Sequence, residues 1–273
     1  MRTVKGVEDV EDVGGVRAIG ATARPPRVRG TAGVFLAVAF AASGVLGAVQ
    51  PALGVPAEVV QLTQFAPAAA VAALTVFQRK RVVRLLRGGA LRGEGRTGAL
   101  LATAALIIAV GVLAYVVHPG RAGGAWFTRP GALEQPFALI TVAQLIGACG
   151  EEIGWRCLLQ PLLRTRFGAV ASSVTVGVLW GLWHVQVFAQ RPAYAAAFLA
   201  ATIGMSVALG LALDGTGGFH ALVNLGMPLF LDEEAGGTLA MACFGASSLL
   251  AALLWAARAG VAAGAAPATL PGT

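Results

Sequence analysis

The residues most able to do chemistry lie in the stretch CGEEIGWRCLLQPLLR, which follows the apolar run PFALITVAQLIGA. On a helix, Glu152 and Arg156 are four residues apart with the acid first, the order that favours an ion pair. Glu151 points about 100° away from Glu152. We therefore predict that Glu152 pairs with Arg156, and that Glu151, left without a partner, can act as a general base. The alternative is a charge cluster that only marks the end of a membrane helix.

Two later segments each place a histidine four residues from another functional side chain. The segment VGVLWGLWHVQVF contains Trp180 and His184, and GGFHALVNLGMPLF contains His220 and Asn224. Residues with this spacing share one helix face. In membrane helices, such residues commonly anchor the helix or form hydrogen bonds to a neighbouring helix. In an enzyme, His220 and Asn224 could instead donate hydrogen bonds to a developing oxyanion.

The spacing along the chain predicts that these residues approach one another. Glu151 and His184 are equally far from the turn at 167–168, so their side chains should lie at similar depth, although Pro161 should kink or interrupt the first helix. His220 is expected on the order of 10 Å from His184, a gap that side chains, helix tilt or a re-entrant loop could close.

The elements that must position these residues are membrane helices. The mean hydropathy is +0.76 and 57% of the residues are hydrophobic, which is typical of a polytopic membrane protein. Backbone groups in lipid must be satisfied within a segment, so the expected fold is all-α, a bundle of about eight transmembrane helices. The predicted spans are 31–49, 58–77, 98–117, 136–157, 168–190, 193–213, 217–231 and 237–257.

The basic residues predict the orientation of this bundle. Six Lys and Arg lie in the N-terminal tail, seven in the segment 78–96, three in 156–166 and one at Arg258. These 17 of the 20 basic residues fall on one side of the predicted topology, so both termini should be cytoplasmic, in the cell membrane. The formal charge of +7 is explained by loops beside anionic lipid, and no nucleic-acid partner is expected.

The domain organisation follows from the same pattern. Residues 1–30 are expected to form a disordered cytoplasmic tail, 31–257 the transmembrane domain and 258–273 a flexible C-terminal tail. The segment 118–135 should form an extracytoplasmic loop. Three cysteines in apolar contexts, without CxxC spacing, predict neither a disulfide framework nor a zinc cluster of cysteines.

Taken in order, EEIGWR, WGLWH and HALVN resemble the three motifs of the CPBP family, the CAAX prenyl proteases of Ras-converting type and their bacteriocin-processing and immunity relatives. The resemblance covers about residues 135–230, and the first 130 residues carry no matching motif. Two positions depart from the family pattern. Trp180 stands where phenylalanine is usual, and Cys157 follows the arginine where glycine is common.

The resemblance implies an intramembrane endopeptidase of the glutamate type. The resemblance implies that Glu151 activates water, that His184 helps to hold that water, and that His220 and Asn224 stabilise the oxyanion. The same resemblance implies supporting roles for Glu152, Arg156 and Trp180. No obligatory cofactor is implied.

Three alternatives stay open at this point. Glu151, His184 and His220 could instead bind zinc as ligands of a metalloprotease. A transporter could use the same Glu and His residues to relay protons, and an immunity protein could retain the motifs without catalysis. The expected partners are the lipid bilayer and a peptide or protein substrate, lipidated or not. The Ala, Gly, Val and Arg content is typical of bacteria.

Overall fold

The computed structural model describes residues 28–90, 96–119, 127–212, 216–230 and 237–264 of the 273-residue chain. Within these ranges every regular element is helical, which confirms the all-α fold. Most of residues 1–30, part of the loop 118–135 and residues 265–273 lie outside the described residues. The main helices are α1 Val28–Val49, α2 Ala66–Ala90, α3 Thr97–Val117, α4 Phe137–Gly154, α5 Gln160–Arg164, α6 Ala169–Trp183, α7 Pro192–Ala212, α8 Thr216–Phe230 and α9 Gly237–Gly264.

Five helices in the described part of the chain are long and apolar enough to cross a membrane, as expected for a polytopic membrane protein. The predicted number of about eight spans is not confirmed. Helices α6 and α8 have only 15 residues each, fewer than the roughly 20 that a bilayer requires. The five long helices are Val28–Val49, Thr97–Val117, Phe137–Arg164, Pro192–Ala212 and Gly237–Gly260.

The second predicted span differs most from the structure. Residues 62–65 form a short 3-10 helix, and α2 begins only at Ala66. The backbone leaves the helical conformation at Gln78, with φ −132° and ψ 35°, where the apolar sequence gives way to the basic one. A hydropathy pattern detects apolar length, but it does not detect these breaks in the backbone.

The helix that carries the two glutamates continues past Pro161. A π-helical turn, Trp155–Leu159, joins α4 to α5, and the N–H of Gln160 donates to the carbonyl of Trp155. Proline cannot donate the usual helical hydrogen bond, and its ring crowds the carbonyl four residues earlier. The expected interruption therefore takes the form of one widened turn, which begins three residues after Glu152.

Glycines allow α4 to approach the 3-10 helix at 62–65 and the first turn of α2 closely. A methyl group added at Gly147 would overlap the side chain of Gln64, and one added at Gly154 would overlap Pro67. At Gly150 the added Cβ would lie 2.9 Å from the carbonyl oxygen of Gln64. Small residues permit such contact between membrane helices. The face of α4 that contains these glycines is therefore covered by protein.

Close packing also holds α6 against α7. An added Cβ at Gly177 would lie 2.7 Å from the Cα of Ile203, and one at Gly181 would lie 2.6 Å from the Leu199 side chain. Gly181 therefore permits α7 to approach α6 closely. Helix α7 in turn packs against α9, where Gly204 contacts the backbone of Ser248. These contacts fix α6, and hence Trp180, within the bundle.

Candidate active site

Three helices and one π-helical turn bring the predicted site residues together. Helix α4 carries Glu151 and Glu152, the π-helical turn carries Arg156, α6 carries Trp180 and α8 carries His220 and Asn224. His184 directly follows α6. The side chains of the first four and of His220 are almost completely buried, each residue being 2–3% exposed. His184 and Asn224 are half-buried.

Glu152 lies between two basic groups. Its Oε2 is 3.5 Å from Nε of Arg156, and its Oε1 is 3.1 Å from Nδ1 of His220. The first contact confirms the predicted pairing four residues along the helix. Because an ionised carboxylate can only accept a hydrogen bond, Nδ1 of His220 is the donor. Glu152 thereby sets the orientation of the His220 ring across 68 residues of sequence.

Glu151 also has a partner, so the expectation that it has none is wrong. The indole N–H of Trp180 donates a 2.7 Å hydrogen bond to Oε2 of Glu151. Its other oxygen, Oε1, lies 3.8 Å from Nε2 of His220, beyond a direct hydrogen bond. The prediction counted only partners on the same helix, whereas the donor comes from α6. One carboxylate oxygen is therefore held in place, and the second faces an imidazole.

The Trp180 indole is the common neighbour of the other groups. The guanidinium carbon of Arg156 lies 4.5 Å from the centre of its ring, a distance typical of a cation–π contact. The His220 ring is edge-on to it at 5.0 Å, and the His184 ring at 5.9 Å. The predicted gap between the two histidines is thus bridged by one aromatic side chain.

A hydrogen bond to the backbone orients the His184 ring at the end of α6. Its Nδ1 lies 2.8 Å from the carbonyl oxygen of Trp180, four residues earlier. Carbonyls in the last turn of a helix lack helical partners, and this imidazole satisfies one of them. Because a carbonyl can only accept, Nδ1 carries the proton, and Nε2 of the neutral ring is left as an acceptor. Trp183 and Phe198 pack against the ring and hold it.

The hydrogen-bond partner of Asn224 is Gln144, a residue that the sequence analysis did not identify. Its Nδ2 donates a 3.2 Å hydrogen bond to Oε1 of Gln144 on α4, and Nε2 of Gln144 donates a 3.1 Å bond to the carbonyl of Val59. One signal in the sequence could have identified Gln144. It lies seven residues before Glu151, hence on the same helix face, as a polar residue within an apolar span.

Several buried donors near the site have no partner among the described residues. None of the three guanidinium nitrogens of Arg156 makes a hydrogen bond there, although Nε faces Glu152 at 3.5 Å. The indole nitrogens of Trp155 and Trp183 are likewise without an acceptor. In the part of the chain that the structure describes, no group of three or more His, Cys, Asp or Glu side chains is arranged to hold a metal ion.

The arrangement combines complementary functions among side chains that are mostly buried. A buried carboxylate can accept a proton, and the imidazole of His184 offers an acceptor nitrogen. His220 and Asn224 lie on a third helix as hydrogen-bond donors. In a site with little water, charge and hydrogen bonds act more strongly than in solution.

Comparison with known proteins finds a family match in the part of the chain that forms this site. Residues 133–226 match the Rce1-like family, described as type II CAAX prenyl endopeptidase Rce1-like. All seven predicted site residues lie in this range, and the family resemblance of the three motifs is confirmed.

Curated relatives extend the similarity beyond this segment. The chain is 25% identical over 218 residues to lysostaphin resistance protein A of the Staphylococcus aureus strains Newman, USA300 and COL. The aligned region covers 74% of this chain and 50% of each relative. The chain therefore spans about half the length of the curated relatives it matches.

Proposed function

We propose that the protein is an intramembrane endopeptidase in which Glu151 activates the water that hydrolyses a peptide bond. The proposal rests on the burial of the Glu151 carboxylate and on its two neighbours. Its carboxylate is 2% exposed, is oriented by Trp180 through one oxygen and faces His220 with the other. A buried carboxylate held in this way is suited to general base catalysis.

The proposed reaction is a general-base hydrolysis. Oε1 of Glu151 takes a proton from water while the water oxygen attacks the carbonyl carbon of the scissile peptide bond. The resulting tetrahedral intermediate carries its negative charge on the former carbonyl oxygen. Glu151 then gives the proton to the departing amine as the carbon–nitrogen bond breaks. The products are a new carboxyl group and a new amino group.

The two histidines and Asn224 have distinct proposed roles. His184 helps to hold the attacking water by accepting a hydrogen bond at Nε2, because its Nδ1 is committed to the Trp180 carbonyl. Asn224 donates to the oxyanion with the N–H that Gln144 does not use. His220 can donate from Nε2 when its ring carries both protons, since Nδ1 is bonded to Glu152.

Glu152, Arg156 and Trp180 support these residues without touching the substrate. Glu152 orients His220, and Arg156 offsets the charge of Glu152. Trp180 orients Glu151 and contacts the guanidinium of Arg156 and the rings of both histidines. Because all three are buried, changes to them should act through the position of the catalytic groups and through stability.

The substrate is proposed to be a peptide or protein in the membrane, lipidated or not, and the termini of the enzyme are proposed to be cytoplasmic. Comparative peptidomics of membranes containing wild-type protein or Glu151→Gln tests the activity without a prior choice of substrate. Peptide ends that appear only with the wild-type protein support it. Identical peptide sets in the two membranes would contradict it, and would favour an immunity or transport function instead.

The proposed mechanism does not require a metal, and this can be tested directly. Purified protein should keep its activity after exhaustive chelation and contain no stoichiometric metal by elemental analysis. Zinc would need its ligands within about 2.0 to 2.2 Å of one ion, whereas a held water needs only hydrogen-bond reach. Activity that is lost to a chelator and restored by zinc alone would recast Glu151, His184 and His220 as metal ligands.

A further inference from the structure

We propose that Gln144 is a positioning residue for Asn224, and that it connects the active site to the segment between α1 and α2. The inference rests on the proposed function, because it assigns Asn224 to the oxyanion. Gln144 is half-buried on α4 and contacts both α8 and the carbonyl of Val59. It therefore joins three parts of the chain that are distant in sequence.

The hydrogen bonds determine which way both amides point. The carbonyl oxygen of Val59 can only accept, so Gln144 must direct its NH2 group toward it, at 3.1 Å. The oxygen of Gln144 then faces Asn224, and Asn224 must present its own NH2 group, at 3.2 Å. Turning either amide over would place two donors or two acceptors against each other. One backbone carbonyl thus sets the orientation of the proposed oxyanion donor.

Helices α4 and α8 are joined by polar contacts at two positions along their length. At one, His220 contacts both glutamates of α4. At the other, Asn224 contacts Gln144. Asn224 is one turn further along α8, and its partner Gln144 is two turns earlier along α4. The two helices therefore run in opposite directions past each other. The bond between Gln144 and Asn224 therefore adds to the polar contacts that His220 makes between α8 and α4.

Val59 is itself held in an ordered segment by a buried glutamine. The amide nitrogen of Gln50 donates to the carbonyls of Val55 and Val60, at 3.1 and 3.0 Å, and its oxygen accepts from the N–H of Leu62 at 2.8 Å. Gln50 is 8% exposed. The segment that positions Gln144 thus belongs to the part of the chain without a family motif.

Gln144 should affect the reaction through the orientation of the Asn224 amide. Asn224 has two N–H groups, of which one is held by Gln144 and the other remains for the substrate oxygen. Loss of Gln144 leaves the amide able to rotate, which weakens a bond that matters most in the transition state. We expect kcat to fall roughly tenfold in Gln144→Met, with KM changed much less.

Asn224 is the only asparagine in the chain, which permits a direct measurement. Protein labelled with ¹⁵N at the asparagine side chain gives a single NH2 signal in detergent micelles, and this signal reports on Asn224 without any substrate. In wild-type protein one of its two protons should be shifted downfield by the bond to Gln144. Gln144→Met should remove that shift, and Gln144→Glu should keep it, because a protonated carboxyl group can donate to the Val59 carbonyl and still accept from Asn224.

Activity is measured on a peptide spanning a cleavage site found by the peptidomics described above. Gln144→Glu should retain more turnover than Gln144→Met, and in an Asn224→Ala background Gln144→Met should have little further effect on kcat. Gln190→Met removes an exposed glutamine side chain and serves as the matched control, with neither the signal nor the activity changed.

Two results would overturn the inference. The first is an Asn224 signal that is the same in Gln144→Met and in wild type, and the second is a changed signal with unchanged turnover. A wild-type protein that cleaves nothing would count against the proposed function. The Asn224 signal distinguishes that failure from a failure of the hydrogen bond itself.

Discussion

The indole N–H of Trp180 donates a hydrogen bond of 2.7 Å to Oε2 of Glu151, across 29 residues of sequence. The face of the same indole lies 4.5 Å from the guanidinium carbon of Arg156, and the His220 ring is edge-on to it. Trp180 therefore orients the proposed base and contacts both partners of Glu152. The family pattern has phenylalanine at this position, which cannot make the hydrogen bond.

Replacing Glu151 by Gln should abolish cleavage while leaving the protein folded. An amide oxygen can still accept from Trp180, but an amide cannot take a proton from water, so turnover should fall at least roughly 100-fold. Cleavage of a reporter peptide and the melting temperature in detergent measure the two effects. Glu134→Gln, at an exposed glutamate, is the matched control. Full activity in Glu151→Gln would refute the assignment of the base.

Trp180→Phe should separate the hydrogen bond from the aromatic contacts. It keeps a ring against Arg156 and His220 but leaves Glu151 without its donor, at a cost of about 1.5 to 3 kcal/mol of unfolding free energy. Trp183→Phe is the matched control, because the Trp183 nitrogen has no acceptor among the described residues. That change removes the same ring volume without breaking a hydrogen bond, so it should destabilise the protein less than Trp180→Phe does. Equal destabilisation by both variants, measured by thermal unfolding, would mean that the Trp180 hydrogen bond contributes little.

Arg156→Met should destabilise the protein more than it alters the chemistry. Removing the guanidinium leaves the buried Glu152 with His220 alone as a basic partner, and breaking a buried ion pair typically costs about 3 to 5 kcal/mol. Adding Glu152→Gln removes the charge that was left behind, so the double variant should be more stable than Arg156→Met alone. Thermal unfolding measures both, with Arg164→Met as a control at an exposed arginine. A double variant that is less stable than Arg156→Met would show that the pair is not the dominant interaction of either residue.

Asn224→Ala should lower turnover by roughly 100-fold to 1000-fold, because the loss of one oxyanion donor costs about 2.7 to 4 kcal/mol in the transition state. Substrate binding should change far less. Steady-state kinetics on a reporter peptide separate kcat from KM. If KM rises while kcat stays intact, Asn224 is a binding contact and not an oxyanion donor.

Cysteine labelling tests the proposed orientation in the membrane. After replacement of the three native cysteines, Ala125→Cys should react with a membrane-impermeant thiol reagent added outside the cell, and Ala90→Cys should not. Residue 125 lies outside the described residues, within the predicted extracytoplasmic loop. Labelling of residue 90 alone would show that the orientation in the membrane is the opposite of the one proposed.

The local relationships in the site could be predicted because helix geometry determines them. Residues four apart on a helix are neighbours whatever surrounds the helix, so the pairing of Glu152 with Arg156 followed from spacing alone. The all-α membrane fold followed from hydropathy, because lipid leaves the backbone few other ways to satisfy its hydrogen bonds. The family resemblance followed from the order of three short motifs and is confirmed for residues 133–226.

What the sequence could not provide are the contacts between helices, since these depend on the rotation and depth of each helix in the bundle. Glu151 was expected to be without a partner, yet it meets Trp180 from another helix. Gln144 meets Asn224 across 80 residues and Val59 across 85. Glycine contacts along α4 and α7, together with the π-helical turn before Pro161, set those rotations and depths. The sequence therefore determined which residues are available for catalysis, and the packing of the helices decided which of them meet.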